Sequence, residues 1–442
     1  MRALSRGRGW LTVCIAVTLL LTYWLVNTMT RPIMAPYAAS LGAGPGEIGV
    51  ILAALALPAA VCAIPIGAAA DRMGYRPVLI CGAVALLAGI VGLMLITTPM
   101  LLLVPQTLIG TGSVAVWLAL QGLMIEGFGA AAEGSEEGRD RRTRRITNYS
   151  TLAVAGQLGG PLFGGVIADG WSSVGAFGVA AGLSLVCLLS GILLPRVQHG
   201  STGGGSGERL SARVVARSYV RGFRMLREPG VMLTMLVSFV ALYLMDVRNG
   251  FQPLYFHGVG MTATLIGAVL SVGGVFALMS RLIVVYALRR FRNGTVVIWC
   301  LAPGAAATCC VVLFTSVPPF FVLGALAGLL LGVAQPLTLS LTADYTKEFE
   351  RGMGIGLRMV ANRVAQTVDP MVFGGLVSLS GFGLAFGATG IALGSAAVAI
   401  GWWLNRGERP GEPDPAVRAT GARRVRRGMR AADGRDQTAT RQ

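Results

Sequence analysis

Long apolar runs constrain this chain more than any other feature of its sequence. Twelve of them come close to or exceed the roughly 20 residues that a helix needs to cross a bilayer. They lie near residues 10–28, 47–66, 77–97, 101–125, 149–168, 174–194, 231–254, 264–287, 294–315, 319–342, 355–379 and 382–404. The pattern predicts an all-α membrane protein with 12 transmembrane helices, because the period-two alternation that marks membrane barrels does not occur.

The composition agrees with a lipid environment. Charged residues make up 13% of the chain, whereas soluble domains carry about 25%. The seven cysteines all fall in apolar runs, and none has metal-ligand spacing with a histidine. We therefore interpret the cysteines as small buried hydrophobic residues and expect neither a metal site nor a cofactor.

The twelve runs divide into two sets of six around residues 195–230, the longest internal break. This segment opens with GSTGGGSG, a composition typical of flexible linkers. Arginines then recur at every fourth position, which predicts an amphipathic basic helix on the inner membrane surface or, alternatively, a plain charged linker helix. We therefore expect a six-helix bundle at 1–194, this cytoplasmic linker, a second six-helix bundle at 231–404 and a disordered basic tail at 405–442.

Basic residues are distributed unevenly between the two sets of loops. Of 37 Lys and Arg residues, 32 lie at the N terminus, in alternate loops and in the C-terminal tail. The other five, in or at the edge of apolar runs, are Arg31, Arg248, Arg281, Arg358 and Arg363. Because positively charged loops stay in the cytoplasm, we expect a plasma-membrane protein with both termini inside. The arginine-rich tail is expected to touch anionic headgroups, with nucleic-acid binding as the alternative.

A short echo between the two halves indicates an internal repeat. PLFGG occupies residues 161–165 in the fifth run, and PMVFGG occupies residues 370–375 in the eleventh. Many transporters are built from two such repeats around a site near the bilayer midplane. The echo therefore predicts two pseudo-repeat bundles.

The loop after the second run carries a compact polar motif, GAAADRMGYRP, at residues 67–77. Its glycine and charged positions are Gly67, Asp71, Arg72, Gly74 and Arg76. The pattern resembles the G-x-x-x-D-R-x-G-[RK]-[RK] loop between helices 2 and 3 of the major facilitator superfamily, although Tyr75 replaces a usual basic residue. The resemblance implies a latch that closes the cytoplasmic side between helices 2 and 11. A positively charged turn that only fixes topology is the alternative.

The fifth run contains a second motif, GQLGGPLFGG. Its glycine and proline positions are Gly156, Gly160, Pro161, Gly164 and Gly165. Within the superfamily it resembles the motif typical of exporters that exchange substrate for protons. Glycines four residues apart allow close helix packing and the proline favours a bend, so ordinary glycine packing is the alternative.

A third exporter motif is altered in the fourth run. The family pattern is L-x-x-x-R-x-x-Q-G-x-G, and this chain has Leu102, Gln106, Ile109, Gly110 and Gly112 at the corresponding positions. Gln106 replaces an arginine that the resemblance links to proton coupling. Coupling to protons therefore has to depend on other titratable groups.

Polar and charged residues inside the seventh and eleventh runs are candidates for function, because a charge costs about 2.5–3.5 kcal/mol at the bilayer centre. They are Asp246, Arg248, Arg358, Asn362, Arg363 and Asp369. At helical spacing, Arg358, Asn362 and Asp369 share one face of the eleventh run with Gln366. Buried ion pairs that only join helices are the alternative to a functional role.

The two carboxylates, Asp246 and Asp369, are the candidates for carrying the coupled proton; the polar face of the eleventh run favours Asp369, and the position of Asp246 on a cavity helix makes it the second choice. Burial favours the neutral form of a carboxylate, whereas a nearby arginine, Arg248 or Arg363, favours its charged form. A rocking motion that makes and breaks such a pair would couple proton binding to the change of state.

The resemblance implies a secondary active transporter with a cavity lined by helices 1, 4, 7 and 10. The candidate cavity residues are Tyr23, Asn27, Gln121, Tyr243 and Gln335. We predict export of a small amphipathic or apolar compound by proton antiport, with uptake or facilitated diffusion of a small metabolite as the alternative. A membrane-embedded transferase is a remote alternative, and no enzyme activity is expected. The expected partners are the small-molecule substrate, protons and membrane lipid, without nucleic acid, and the chain is expected to be a monomer.

Overall fold

The computed structural model of the chain describes residues 2–129, 136–194, 227–345 and 351–407. Every regular element in these ranges is helical, which confirms the predicted all-α class. The predicted linker helix and basic tail lie almost entirely outside the described residues. The division into domains at those segments therefore stays a prediction.

The first half contains six helices. They are α1 (Arg2–Ser40), α2 (Pro45–Met73), α3 (Tyr75–Leu95), α4 (Leu103–Gly129), α5 (Glu136–Gly170) and α6 (Ser173–Leu193). A 3-10 turn at Pro99–Leu102 leads into α4. Gly74, with φ of 88°, separates α2 from α3 and adopts a backbone conformation that other residues rarely tolerate.

The second half repeats this plan. Its helices are α7 (Pro229–Gly258), α8 (Ala263–Arg290), α9 (Asn293–Cys309), α10 (Val317–Gly332, continued by Ala334–Tyr345), α11 (351–380) and α12 (382–407). One π-helical turn, Val247–Phe251, interrupts α7. Gly381, with φ of 77°, breaks the run Arg351–Gly407 into α11 and α12.

Most of these helices are apolar enough to cross a membrane. In the described ranges nine stretches meet this description, and one of them, Leu357–Arg406, contains both α11 and α12. The remaining two helices, α1 and α5, are 39 and 35 residues long and carry more polar residues. The chain is a multi-pass membrane protein, and these helices match the twelve predicted spans.

Helix α1 differs from its predicted span, which ended at residue 28. The helix continues to Ser40 and includes Asn27 and Arg31. Because Asn27 and Arg31 are polar, the apolar run in the sequence ends near them. In the structure both side chains contact other helices of the protein. The helix therefore contains the predicted span and extends beyond both of its ends.

The termini define two faces of the molecule. Because twelve helices cross between the faces, α1 begins and α12 ends at one of them, called here the terminus face. The other is called the opposite face. Within the halves, α1 packs on α5 and α6, α3 on α4, and α8 on α10. Between the halves, α2 packs on α11 and α5 packs on α8.

Candidate transport site and the interface between the halves

Near the end of α5 and the start of α8, the backbones of these two helices meet directly across the interface. A Cβ at Gly267 would overlap the carbonyl oxygen of Pro161, and a Cβ at Gly165 would overlap that of Ala263. Only glycine allows the backbones to approach this closely. The four residues form the first seam, near the end of α5 and the start of α8.

Helices α2 and α11 form a second seam with the same construction. A Cβ at Gly49 would overlap the carbonyl oxygen of Pro370, and one at Gly374 would stand 2.6 Å from the carbonyl oxygen of Pro45. The two echoing sequences, PLFGG and PMVFGG, thus supply equivalent halves of the two seams. The internal repeat is visible here as a repeated contact.

Both seams lie near the opposite face, where α5 and α11 end and α2 and α8 begin. Toward the terminus face, a Cβ at Gly67 on α2 would meet no atom within 4 Å. In the described residues, therefore, α2 is sealed against the other half near the opposite face and has open space around Gly67. The two halves are therefore in backbone contact near the opposite face.

Asp169 adds a polar clamp beside the first seam. Its two carboxylate oxygens accept hydrogen bonds from the backbone N–H groups of Ala263 at 2.8 Å and Thr264 at 2.7 Å. These are free N–H groups of the first turn of α8, where the helix dipole also favours a negative charge. One half thus caps a helix of the other.

The clamp perturbs the acidity of Asp169, which lies past the predicted membrane span that ends at residue 168. Partial burial acts to raise the pKa of the carboxyl, but the hydrogen bonds from Thr264 and Ala263 outweigh burial and lower the pKa below its ordinary value. A cavity of about 220 Å³ adjoins the clamp and is also lined by Ile33 and His257.

An ion pair joins the first helices of the two halves. The guanidinium of Arg31 on α1 lies 3.9 Å from Oδ1 of Asp246 on α7. The side chain of Arg31 is 42% exposed and that of Asp246 is 15% exposed. Arg363 on α11 is a second cation whose charge acts on Asp246. Charges from α1, α7 and α11 therefore converge between the halves.

Arg248 is not part of this cluster, although it is only two residues from Asp246. It is 6% exposed, and its guanidinium donates to the carbonyl of Leu270 on α8 at 3.4 Å. It also fills the space beside Gly273, where a Cβ would overlap it. Of the two arginines predicted as partners of the carboxylates, the structure brings only Arg363 toward Asp246.

The polar residues of α11 make contacts with neutral groups. Arg358 donates to Oε1 of Gln335 at 3.2 Å and to Oγ1 of Thr338 at 3.3 Å, both on α10. Arg363 donates to Oε1 of Gln366 at 2.7 Å. The predicted polar face of α11 is thus directed in part toward α10.

Asp369 and Asn362 are placed differently from these arginines. Asp369 is 1% exposed, and neither carboxylate oxygen has a hydrogen-bond partner among the described residues. The side-chain oxygen of Asn362 is likewise buried without a described partner. An ionised carboxylate without a bonded partner is costly in such surroundings.

An aromatic cluster lies on α1 and α4. The rings of Tyr23 and Trp117 stack at 6.1 Å, and Trp24 meets Trp117 edge to face at 5.2 Å. Tyr23 donates to the carbonyl of Ser113 at 3.0 Å, and the Ser113 hydroxyl donates to Oδ1 of Asn27 at 2.8 Å. The indole N–H of Trp24 is buried without a described partner.

A family comparison identifies the chain. The model of the Major Facilitator Superfamily matches residues 16–295 and 249–434, which is most of the sequence. The chain belongs to the major facilitator superfamily. It is accordingly a transporter and not an enzyme, which excludes the transferase alternative. A sequence search against curated proteins finds no match.

Solved structures agree with this superfamily fold at low sequence identity. A point mutant of the nucleoside transporter NupG aligns with a TM-score of 0.74 and 12% identity over 90% of this chain and 99% of its own. A POT family transporter in complex with a thioalcohol-conjugated peptide gives 0.66 and 14%, over 89% and 95%. Another, in complex with 5-aminolevulinic acid, gives 0.68 and 15%, over 89% and 95%. At such identities the likeness concerns the fold.

The superfamily loop motif divides into parts with different contacts. Arg76 donates to the carbonyl of Ile192, near the end of α6 in the same half. The ring of Tyr75 packs on Gly122 of α4, where a Cβ would overlap it. Tyr75 therefore has a packing role where the superfamily usually has a base. The side chains of Asp71 and Arg72 lie outside those that the structure describes.

The glycines of the α5 motif serve two interfaces. Gly156, Gly160 and Gly164 pack on α1, where Cβ atoms would crowd Trp24, Thr28 and Met29 respectively. The other two positions belong to the first seam described above. The motif therefore packs on α1 through three glycines and on the other half through Pro161 and Gly165, with the Leu158 side chain also lying against Gly274 of α8.

The glycines of the altered α4 motif pack inside the first half. A Cβ at Gly110 would overlap the carbonyl of Leu55 on α2, and one at Gly112 would crowd Gly82 and Leu86 on α3. Gln106 is 4% exposed. The structural part of the motif is retained, whereas the position of the missing arginine is filled by a buried amide.

Of the five candidate cavity residues, Tyr23 and Asn27 belong to the polar and aromatic cluster, and Gln335 binds Arg358. Tyr243 is 6% exposed and packs on Phe239 with ring centroids 6.1 Å apart. Gln121 is half-buried on α4. The sequence interpretation did not select Arg31, Trp24, Trp117 or Asp169 as site residues. A charge four residues after Asn27 was the available signal for Arg31.

Proposed function

We propose that this protein is a secondary active transporter that exports a small amphipathic or apolar compound by proton antiport. The observation that carries the proposal is the Arg31–Asp246 ion pair between the two halves. Alternating access requires the halves to move relative to each other, and this pair joins α1 of one half to α7 of the other. Asp246 can exchange Arg31 for a proton when the pair separates.

The physical basis of coupling is the change in the surroundings of Asp246. With Arg31 nearby, the carboxylate is stabilised in its charged form; without the cation, a carboxylate inside the membrane is stabilised by taking up a proton. The state in which the halves separate around α1 and α7 thus binds one proton more. A proton gradient then drives the conformational cycle in one direction.

Asp369 is the second candidate for the proton, and it has a weaker case. It is fully buried and has no cation at bonding distance among the described side chains. A group that carries a proton across a membrane needs contact with water in at least one state. We therefore assign the proton to Asp246 and a structural role to Asp369.

Export is supported by the α5 motif, whose resemblance is to proton-exchanging exporters. Uptake or facilitated diffusion of a small metabolite is the second candidate function. Gln106 favours this second function, because it replaces the arginine that the exporter motif links to proton coupling.

We further propose a plasma-membrane location with cytoplasmic termini, from the bias of basic residues. On this orientation the terminus face is cytoplasmic. We propose that the chain acts as a monomer with lipid around it.

The test is proton movement in inverted vesicles that contain the full-length protein. A pH-sensitive dye reports proton flux while a panel of amphipathic compounds is added. Asp246→Asn is expected to abolish substrate-induced proton flux while sparing downhill exchange of the same compound. Glu228→Gln is the matched control, since Glu228 is exposed at the start of α7 and its side chain makes no capping bond. Unchanged proton flux in Asp246→Asn contradicts the assignment and favours the uniporter alternative.

A further inference from the structure

The ionisable groups in the interface between the halves are mostly cationic. Arg31, Arg358 and Arg363 are only partly buried there, whereas Asp246 is the one partly accessible carboxylate beside them in the described part of the chain. Asp246 is already paired with Arg31. The hydrogen bonds of Arg358 and Arg363 go to the neutral amide and hydroxyl oxygens described above, so their charges are not balanced by a bonded carboxylate.

Asp369, the other carboxylate of this region, does not change the balance of positive and negative charge that a solute meets in the interface. Asp369 is 1% exposed and has no bonded partner among the described residues, and burial without a partner favours the neutral form of a carboxyl group. A solute there meets guanidinium groups on α1 and α11 and one paired carboxylate. A potential of this sign attracts anions and repels cations in a site with low-dielectric walls.

An aromatic surface lies next to these cations. Tyr23, Asn27 and Arg31 follow one another at four-residue spacing on α1, so the ring cluster of Tyr23 lies on the same side of α1 as Arg31. Trp24 and Trp117 in that cluster are half-buried and present flat apolar surfaces. Aromatic faces stack with planar apolar groups.

We propose that the site between the halves binds an organic anion, in which a carboxylate or similar acidic group is joined to an aromatic or apolar body. Arginine binds a carboxylate through two parallel hydrogen bonds, a geometry that Arg358 and Arg363 can supply once their neutral partners are displaced. The aromatic cluster on α1 and α4 holds the apolar body. This inference rests on the proposed transporter function and specifies that its amphipathic substrate carries a negative charge.

Binding of three probes of nearly equal shape tests the inference. Naphthoate, naphthamide and naphthylmethylammonium differ chiefly in carrying a negative, zero or positive charge. Calorimetric titration of the purified full-length protein is expected to show naphthoate binding at least about ten-fold tighter than naphthamide, because hydrogen bonds to charged groups contribute roughly 1.5–3 kcal/mol. The ammonium compound is expected not to bind. Equal or tighter binding of the ammonium compound, or failure of all three to bind, overturns the inference.

Substitution of the arginines locates the site. Arg363→Gln is expected to weaken naphthoate binding about ten-fold, by the same energy of a charged hydrogen bond, while leaving naphthamide unchanged. Arg358→Gln is the second variant, should the first fail to fold. Arg406→Gln is the matched control, since Arg406 stacks on Trp402 at the end of α12, 3.5 Å from its ring centroid. Full naphthoate preference in a folded Arg363→Gln, Arg358→Gln double variant excludes this site.

The binding measurement uses no pH gradient, so its outcome is separate from that of the coupling test. If naphthoate binds with the expected preference but Asp246→Asn retains proton flux, the anion site stands and proton antiport by Asp246 fails. If proton flux depends on Asp246 but the cation probe binds best, the transporter assignment stands and the anion site fails.

Discussion

The backbone carbonyl of Pro161 lies so close to Gly267 that α5 and α8 leave no room for a side chain between them. The carbonyl of Pro370 has the same relationship to Gly49 across α11 and α2. Two proline–glycine contacts, one from each repeat, thus seal the two halves near the opposite face.

Gly267→Ala is expected to weaken this seal, because the added methyl group overlaps a carbonyl that is fixed in its helix. Overpacking of this kind costs about 1–3 kcal/mol. The cost falls on the closed state only, so the population open at the opposite face should rise. A cysteine at position 33, in a cysteine-free background, reports opening through maleimide labelling, since Ile33 lines the adjoining cavity and is 5% exposed.

Gly375→Ala is the control for this experiment. Gly375 belongs to the same PMVFGG sequence, but a Cβ there meets nothing within 4 Å. Its labelling rate should equal that of the parent protein. Equal rates in Gly267→Ala and Gly375→Ala would show that the seam does not hold the closed state.

Asp169→Asn is expected to accelerate opening at the opposite face by about two- to five-fold, since a charge at a helix N terminus contributes about 0.3–1 kcal/mol. The same labelling measurement applies. Glu47→Gln is the matched control: Glu47 lies in the first turn of α2 and accepts a 3.0 Å hydrogen bond from Gly44 within its own half. A labelling rate equal to that control would exclude Asp169 as a clamp.

The Asp169 clamp also predicts a pH dependence. The carboxyl has a lowered pKa only while the clamp is closed, so the closed state binds fewer protons than the open state. The clamp stabilises the closed state fully at neutral pH. This stabilisation is lost as the pH falls through the lowered pKa of Asp169, which lies on the acid side of the ordinary aspartate value. Labelling at the opposite face should therefore increase in acid, and Asp169→Asn should lack this increase.

Asp369→Asn is expected to leave the dependence of transport on the pH gradient unchanged. It should also maintain or raise thermal stability, because it replaces a buried carboxylate without described partners by a neutral group of equal size. Proton-flux assays and thermal unfolding check the two parts. Loss of gradient-driven transport in a stable Asp369→Asn protein would move the coupling role from Asp246 to Asp369.

Asp71→Asn is expected to slow transport while leaving membrane insertion normal. The superfamily resemblance gives Asp71 a latch role at the terminus face, which would operate when that face closes around the open space beside Gly67. Initial transport rates at equal expression measure the effect. Parent-like rates would reduce the motif to a topology-determining turn.

Cysteines introduced at Arg139, Arg217, Arg290 and Arg423 are expected to react with membrane-impermeant maleimides only from the cytoplasmic side. The basis is the retention of positively charged loops inside the cell. Intact cells and inverted vesicles provide the two orientations. Labelling of any of these positions in intact cells would reverse the proposed topology.

Hydropathy predicted the positions of the helices well, but it did not predict which partners their polar residues contact. Each span was visible because about 20 apolar residues are needed to cross the bilayer, whatever the helix packs on. Helix α1 continues past the apolar run, and its polar residues Asn27 and Arg31 contact partners on other helices. A one-dimensional pattern contains no information on those partners.

The candidate site was also only partly predictable from the sequence. The repeat of PLFGG and PMVFGG was visible in the sequence, but its contact with Gly267 and Gly49 depends on how the halves meet. Arg248 was a reasonable partner for Asp246 by proximity along the chain, yet the helix directs it toward α8. Arg31, more than two hundred positions away, is the partner at 3.9 Å.

The two seams consist of backbone atoms, which has a consequence for how such a protein diversifies. Glycine and proline hold the halves together without a side chain that a solute could contact. The residues proposed to meet the solute, Arg363 and Trp117 among them, lie elsewhere on the helices. Selectivity can therefore change while closure is kept, because substitutions at the residues that meet the solute leave the backbone atoms of the seams unchanged.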